Sequence, residues 1–176
     1  MLHTHIVIKL LVIALLVISP ASHSEVISKA DNGFVINIEV QVPVDTETAY
    51  LQFLKVSQWW HPDHTWFGKS ENLTIDAKVG GCFCEIEGDK QALHMLVTYV
   101  EPNKEVRMTG GLGPLQMLGV HGGMAWKFTH IDADKTKISF QYQVTGYVEG
   151  GLDKLADIVN KVQALQINRL QEKLSL

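Results

Sequence analysis

The sharpest chemical feature of this 176-residue chain is one acid on a strand of small and apolar residues. Cys82-Phe83-Cys84-Glu85 alternates, so Glu85 shares the face of Phe83. A carboxylate on an inward face needs a partner or carries a raised pKa, and such groups serve as general acids and bases. Arg107, a histidine or a water would be the partner. A bend at Gly80-Gly81 would instead put Glu85 at a rim. The second constellation is Trp59-Trp60-His61-Pro62-Asp63-His64-Thr65-Trp66, which gathers three of the four tryptophans around two histidines. His61, Asp63 and His64 have the donor types zinc uses. Pro62 breaks a continuous helix, however, and no third spaced ligand follows, so no metal or cofactor is expected. The stretch reads as a loop at a cavity mouth, with Trp rings covering apolar ligand surface and His64 hydrogen-bonding at the opening.

The remaining reactive side chains are few. Cys82 and Cys84 are the only cysteines. Residues two apart in a strand share a face and do not easily reach disulfide geometry. They read as small packing residues, with a reactive or metal-binding pair as the alternative. His121 has the opposite parity to Met124 and Trp126 and is expected outside, unless a bulge at Gly122-Gly123 turns it inward. His94 and His130 are expected at the surface. There is no nucleophile elbow, phosphate-binding glycine loop or dinucleotide fingerprint.

These residues need a scaffold, and the hydropathy pattern outlines one. Gly33–Val42 alternates as a strand, and Pro43 stops it. Asp45 or Thr46 can cap a short helix carrying Ala49, Tyr50, Phe53 and Leu54 on one stripe. Strand patterns follow over Leu73–Val79, Cys82–Glu87, His94–Val100, Glu105–Thr109, Val120–Ile131 and Ile138–Thr145. Short turns between them favour an antiparallel sheet. Leu115–Leu118 has room for one turn of helix. A long amphipathic helix then runs from about Leu152 to Leu174, with Leu152, Leu155, Val159, Val162, Leu165 and Leu170 on one stripe. Asp153 and Asp157 near its start, with Arg169 and Lys173 near its end, complement the helix dipole.

The first 24 residues read as a signal peptide: Lys9, the apolar run Leu10–Ile18, then Ser22-His23-Ser24 as a cleavage site. The run is short against the roughly 20 residues that span a bilayer, so no stable membrane span is expected after cleavage. Residues 25–32 read as a loose leader and 33–176 as one domain. Cleavage removes one of 15 basic residues and none of the 19 acids, so the net charge falls from −4 to −5. That balance argues against a nucleic-acid surface.

With these segments placed, the chain resembles the SRPBCC superfamily of START lipid-transfer domains, polyketide cyclases and pollen-allergen-like carriers. The nearest branch is the activator-of-heat-shock-chaperone-ATPase-like one. The resemblance rests on Val42-Pro43-Val44-Asp45, Trp59-Trp60, Val79-Gly80-Gly81-x-Phe83-x-Glu85 and Val100-Glu101-Pro102. It continues through Leu112-Gly113-Pro114-Leu115, Gly122-x-Met124-x-Trp126 and Gly146-Tyr147…Gly150-Gly151-Leu152. It implies an α+β helix-grip fold, a seven-stranded antiparallel sheet around the long C-terminal helix with a short helix after the first strand. Fold alone does not set function in such a superfamily.

The function expected is an exported, periplasmic or secreted module that binds a small apolar or amphipathic molecule between sheet and helix. Alternation places Leu73, Ile75, Phe83, Glu85, Met108, Met124, Trp126, Phe140 and Tyr142 on the inner face. The mouth would add Trp59, Trp60, His64, Trp66 and Leu115, and the helix Leu155, Val159 and Val162. Two other readings are a cyclase- or hydrolase-like enzyme using Glu85 and His64, and a protein-interaction module. Export argues against a cytosolic chaperone partner. A monomer or weak homodimer is expected.

Overall fold

In the computed structural model, residues 23–176 are described. The proposed signal segment lies outside the described residues except for His23 and Ser24. Eight strands form one antiparallel sheet in the order β1-β2-β8-β7-β6-β5-β4-β3. They are β1 (His23–Ala30), β2 (Gly33–Val42), β3 (Leu73–Ile75), β4 (Cys82–Glu87), β5 (Lys90–Glu101), β6 (Glu105–Thr109), β7 (His121–Asp132) and β8 (Lys135–Thr145). Helix α1 (Thr46–Leu54) follows β2, and the long helix α2 (Asp153–Leu174) closes the chain and packs on β2 and β1. Among the described residues no helix is long and apolar enough to cross a membrane.

The sheet has eight strands, not seven. The additional one is β1, in the segment read as a leader. It pairs with β2 from His23↔Glu39 to Ala30↔Gly33, with an irregularity between Val26 and Ser28. Its side chains are mostly exposed, because it borders the sheet and α2 covers only part of it. Backbone hydrogen bonds hold this strand in place, and a hydrophobic pattern does not register them. The strand expected over Leu73–Val79 stops at Ile75. The Asp76 N–H then donates to the Cys82 carbonyl, closing a tight turn that presses Gly81 against Asp76.

The centre follows the alternation. Along β7 and β8, Met124, Trp126, Phe128, Ile138, Phe140, Tyr142 and Val144 are buried, and β2 contributes Phe34, Ile36, Ile38, Val40 and Val42. Asp45 caps α1 by accepting the Thr48 N–H at 2.7 Å, and this bond lowers its pKa. The buried face of α1 delivers Phe53 onto Trp126 at 4.8 Å between ring centroids, and Trp126 meets Phe140 edge-on at 4.8 Å. Trp59 joins them, donating its indole N–H to the Phe53 carbonyl. The space between sheet and α2 is therefore solid at this end.

Gly122 fixes the other end. A Cβ there would lie 2.4 Å from the Tyr142 ring. Tyr142 donates to the Gly110 carbonyl and accepts the Leu112 N–H, tying the segment after β6 to the centre of the sheet. Gly122→Ala is expected to destabilise the protein by about 1–3 kcal/mol through overpacking, read as a lower urea midpoint at unchanged slope. An unchanged midpoint would show that the ring can move aside.

A cavity beside a buried carboxylate–imidazole pair

A cavity of about 400 Å³ opens between α2, the Trp60–Trp66 loop and the Leu112–Leu118 segment. Helix α2 contributes Leu155, Ile158, Val159, Val162 and Gln163. The first loop contributes Trp60, Asp63, His64, Thr65 and Trp66. The second contributes Leu112, Gly113, Pro114, Leu115 and Leu118, and the sheet adds His94 and Tyr142.

Of the residues expected in the site, Trp60, His64, Trp66, Leu115, Tyr142, Leu155, Val159 and Val162 line this cavity. The others do not. Trp59 and Phe140 lie in the packed core. Ile75, Phe83, Met108, Met124 and Trp126 surround a separate void of about 10 Å³, too small to hold a ligand. Their inward direction follows from alternation. Alternation does not show that Phe53 and Trp59 fill the space above them.

Glu85 is fully buried but is not a lining residue. Its Oε1 accepts the Phe67 N–H at 2.7 Å and its Oε2 the Trp66 N–H at 2.8 Å. His94 Nε2 lies 3.2 Å from the same Oε2. The carboxylate thus staples the mouth loop to β4 and has no oxygen directed at a substrate. The expected pairing of Glu85 with His64 as acid and base is replaced by a Glu85–His94 pair.

His94, expected at the surface, is 5% exposed and lines the cavity. The cause is a β-bulge. Phe83 pairs with Met95 and Cys84 with Leu93, leaving His94 as an extra, unpaired residue on β5. Its side chain therefore points inward together with that of its neighbour Met95. A detectable signal lies in Leu93-His94-Met95-Leu96-Val97, where four apolar residues take both parities around one histidine. Phe83 also packs on the imidazole, at 5.0 Å between centroids.

The cysteines also depart from their expected reading. Cys82 and Cys84 form a disulfide with Cα atoms 5.4 Å apart. They share one face of β4, as residues two apart in a strand do, beside the register shift between Phe83 and Cys84. The bond lies on the opposite side of β4 from Glu85.

The mouth loop is also tied to α2. Gln166 accepts the His61 N–H at 2.7 Å through Oε1, which leaves its amide nitrogen to donate to His64 Nδ1 at 2.6 Å. Arg169 Nε donates to the Trp59 carbonyl, and the Trp60 indole N–H to the His64 carbonyl. His61 and Asp63 stay near the rim, and no metal-binding cluster occurs among the described residues. On the other side, Gln116 donates to the Leu93 carbonyl, fixing the short helical turn Gly113–Gln116 over the cavity. His121 is exposed, as its parity requires, and His130 is exposed near the end of β7, beyond the last buried residue of that strand.

Three titrations follow from burial. Desolvation lowers His94, opposed by the Glu85 contact. It also lowers His64, aided by the nearby His61 and opposed by Asp63. Burial pushes Tyr142 up to about 12, partly offset by the Leu112 N–H.

Comparison with known proteins gives structural likeness only. No family model matches the chain, and no curated protein matches it by sequence. Solved structures do match. A conserved protein of unknown function, EF2215 from Enterococcus faecalis, is 16% identical with a TM-score of 0.58, over 84% of this chain and 74% of that one. Ms6760 from Mycobacterium smegmatis is 16% identical with a TM-score of 0.56, over 80% and 90%. The di-domain ARO/CYC StfQ of the steffimycin biosynthetic pathway is 12% identical with a TM-score of 0.53, over 82% of this chain and 51% of StfQ. The fold is thus α+β, an antiparallel sheet gripping a C-terminal helix, of the kind found in a polyketide aromatase/cyclase.

Two outcomes test the site. In Glu85→Gln, one oxygen that accepts a backbone N–H becomes an N–H donor. The variant is expected to lose about 2 kcal/mol and to exchange the Trp66 and Phe67 amide hydrogens faster than wild type. Unchanged exchange would mean that the loop is held elsewhere.

The second outcome concerns pH. His64 and His94 both lie below the ordinary imidazole value of 6.5 when folded, so the unfolded chain takes up their protons first. Their contribution is complete above that value and is lost as pH falls toward the lowered folded pKa values. The urea midpoint should therefore drop between about pH 7.5 and pH 5.5, with a shallower drop in His94→Phe. A flat profile in wild type would contradict two buried neutral imidazoles.

Proposed function

We propose that this protein is an SRPBCC-type carrier that holds a small apolar or amphipathic molecule in the cavity between sheet and α2. The observation that carries the reading is the cavity itself. Its volume of about 400 Å³ falls in the range of small-molecule sites. Leu155, Ile158, Val159 and Val162 form an apolar wall of the cavity on α2 and are not fully buried, and Ile158 is 54% exposed. Trp66 and Leu118, both partly exposed, form the lips. Affinity would come mainly from apolar burial, at roughly 25 cal/mol per Å² before ordering costs. The likeness of fold to a polyketide aromatase/cyclase supports a cavity-based role. The finer placement, in the chaperone-activator-like branch, rests on the sequence motifs alone.

Export is part of the proposal. The order of Lys9, the apolar run and Ser22-His23-Ser24 supports it, and so does the Cys82–Cys84 disulfide, because such bonds persist in oxidising compartments. Cleavage after Ser24 would remove the Ser24–Asn160 hydrogen bond and leave β1 paired from Glu25↔Asn37 onward.

An enzymatic reading is favoured by one observation, the Glu85–His94 pair beside the cavity. In that reading His94, rather than Glu85 or His64, is the base.

Pyrene has no polar group and so tests the cavity alone. Saturable one-to-one binding, with the emission-band ratio of pyrene in an apolar medium, is expected for wild type. Val159→Trp should weaken it at least about tenfold by filling the space. If neither pyrene nor a smaller naphthalene probe binds saturably to the folded protein, the carrier reading is refuted.

A further inference from the structure

Two buried polar atoms at the cavity have no hydrogen-bond partner in the protein. One is His94 Nδ1, on the β5 bulge. The other is Gln163 Oε1, on α2. Both residues line the cavity, and they are 5% and 3% exposed. Buried polar groups are normally satisfied, because an unpaired one loses its hydration with nothing in return. His94 Nε2 donates to the Glu85 carboxylate, which accepts only. That bond leaves Nδ1 with a lone pair. Both unpaired atoms are therefore acceptors. Among the described residues, Asp63 is the only acid lining the cavity, and neither Lys nor Arg lines it.

We propose that the cavity selects neutral ligands bearing a hydroxyl, whose O–H donates to His94 Nδ1, with Gln163 Oε1 taking a second donor where the ligand carries one. This rests on the carrier reading and names its ligand class. A carboxylate or phosphate would meet two acceptors and an acid with no cation to balance its desolvation. A pure hydrocarbon would fill the apolar wall and leave both acceptors unpaired. A neutral hydroxyl brings no charge and pairs His94 Nδ1. Glu85 then has a second consequence: by holding the Nε2–H tautomer, it keeps Nδ1 an acceptor. Glu85 acts here as a positioning residue that never touches the ligand.

The test uses three probes of one shape, 2-naphthol, 2-methoxynaphthalene and 2-naphthoate, in calorimetric titrations of the wild-type protein near neutral pH. Naphthol is expected to bind at least about tenfold more tightly than its methyl ether, with naphthoate weakest. In His94→Phe the preference for naphthol over the ether should shrink to within about twofold while ether binding persists. If that variant does not fold, His94→Leu takes its place, with the same loss of preference expected. Equal binding of naphthol and ether by wild type would overturn the hydroxyl assignment and leave the carrier reading standing. Tightest binding of naphthoate would overturn the assignment too, as would a preference that survives His94→Phe. Failure of all three probes and of pyrene would overturn the carrier reading itself.

Discussion

The cavity depends on one buried carboxylate. Glu85 is taken out of water entirely, and its compensation is three hydrogen-bond donors, two from the backbone of the mouth loop and one from His94. A buried charge without partners is expensive enough to prevent folding. The chain can therefore bury Glu85 only by bringing residues 66 and 67 to β4 and by turning His94 inward. The loop and the imidazole are placed by one requirement, and both end up bordering the same space. Removing the carboxylate would leave two amide groups unpaired and the loop without its anchor in the sheet.

Helix α2 answers the same constraint from the other side. Its Ala156, Gln163, Ile167, Leu170 and Leu174 are buried, while Leu155, Ile158 and Val159 stay partly exposed. The single stripe that period 3.6 suggests is thus two adjoining faces with different uses. Leu165, expected on the buried stripe, is 40% exposed because the sheet does not extend under it. Gln166 is the residue that couples the faces. It binds both His61 and His64, so the helix that closes the cavity also fixes the loop at its mouth.

How much of this was legible in the sequence depends on what kind of force acts at each point. Strands β2, β7 and β8 and helix α2 follow hydrophobic periodicity, because one of their faces is buried along most of its length. Strand β1 did not, because backbone pairing at an edge leaves no such mark. Alternation assumes an unbroken ladder, and a single extra residue on β5 turns His94 inward. The cysteines do share one face of β4, as alternation requires, and what it does not show is that side chains two apart can reach each other there. Glu85 was correctly placed inward and assigned the wrong task, since sequence shows that a buried acid needs partners but not that the main chain will supply them. Gln163 gave no signal at all, for glutamine on a helix is ordinary until its carbonyl proves to be buried and unpaired.

Why the cavity lies at one end of the grip also has a physical answer. Phe53, Trp59, Trp126 and Phe140 meet with centroid separations between 4.8 and 6.3 Å and leave a void of only about 10 Å³. Close packing of this kind gives dispersion and apolar burial that an empty site cannot. The other end has Leu, Val and Ile on the helix facing glycine and proline in the Leu112–Leu118 segment, so less side-chain volume enters the same gap. The aromatic half supplies the rigidity, and the aliphatic half can remain open because the hydrogen bonds of Glu85, Gln166 and Tyr142 hold its walls apart without filling it. The two halves share Trp60, which borders both voids and donates to the His64 carbonyl. Gln163 also borders both voids, so a ligand at the mouth would press on the aromatic core through these two side chains.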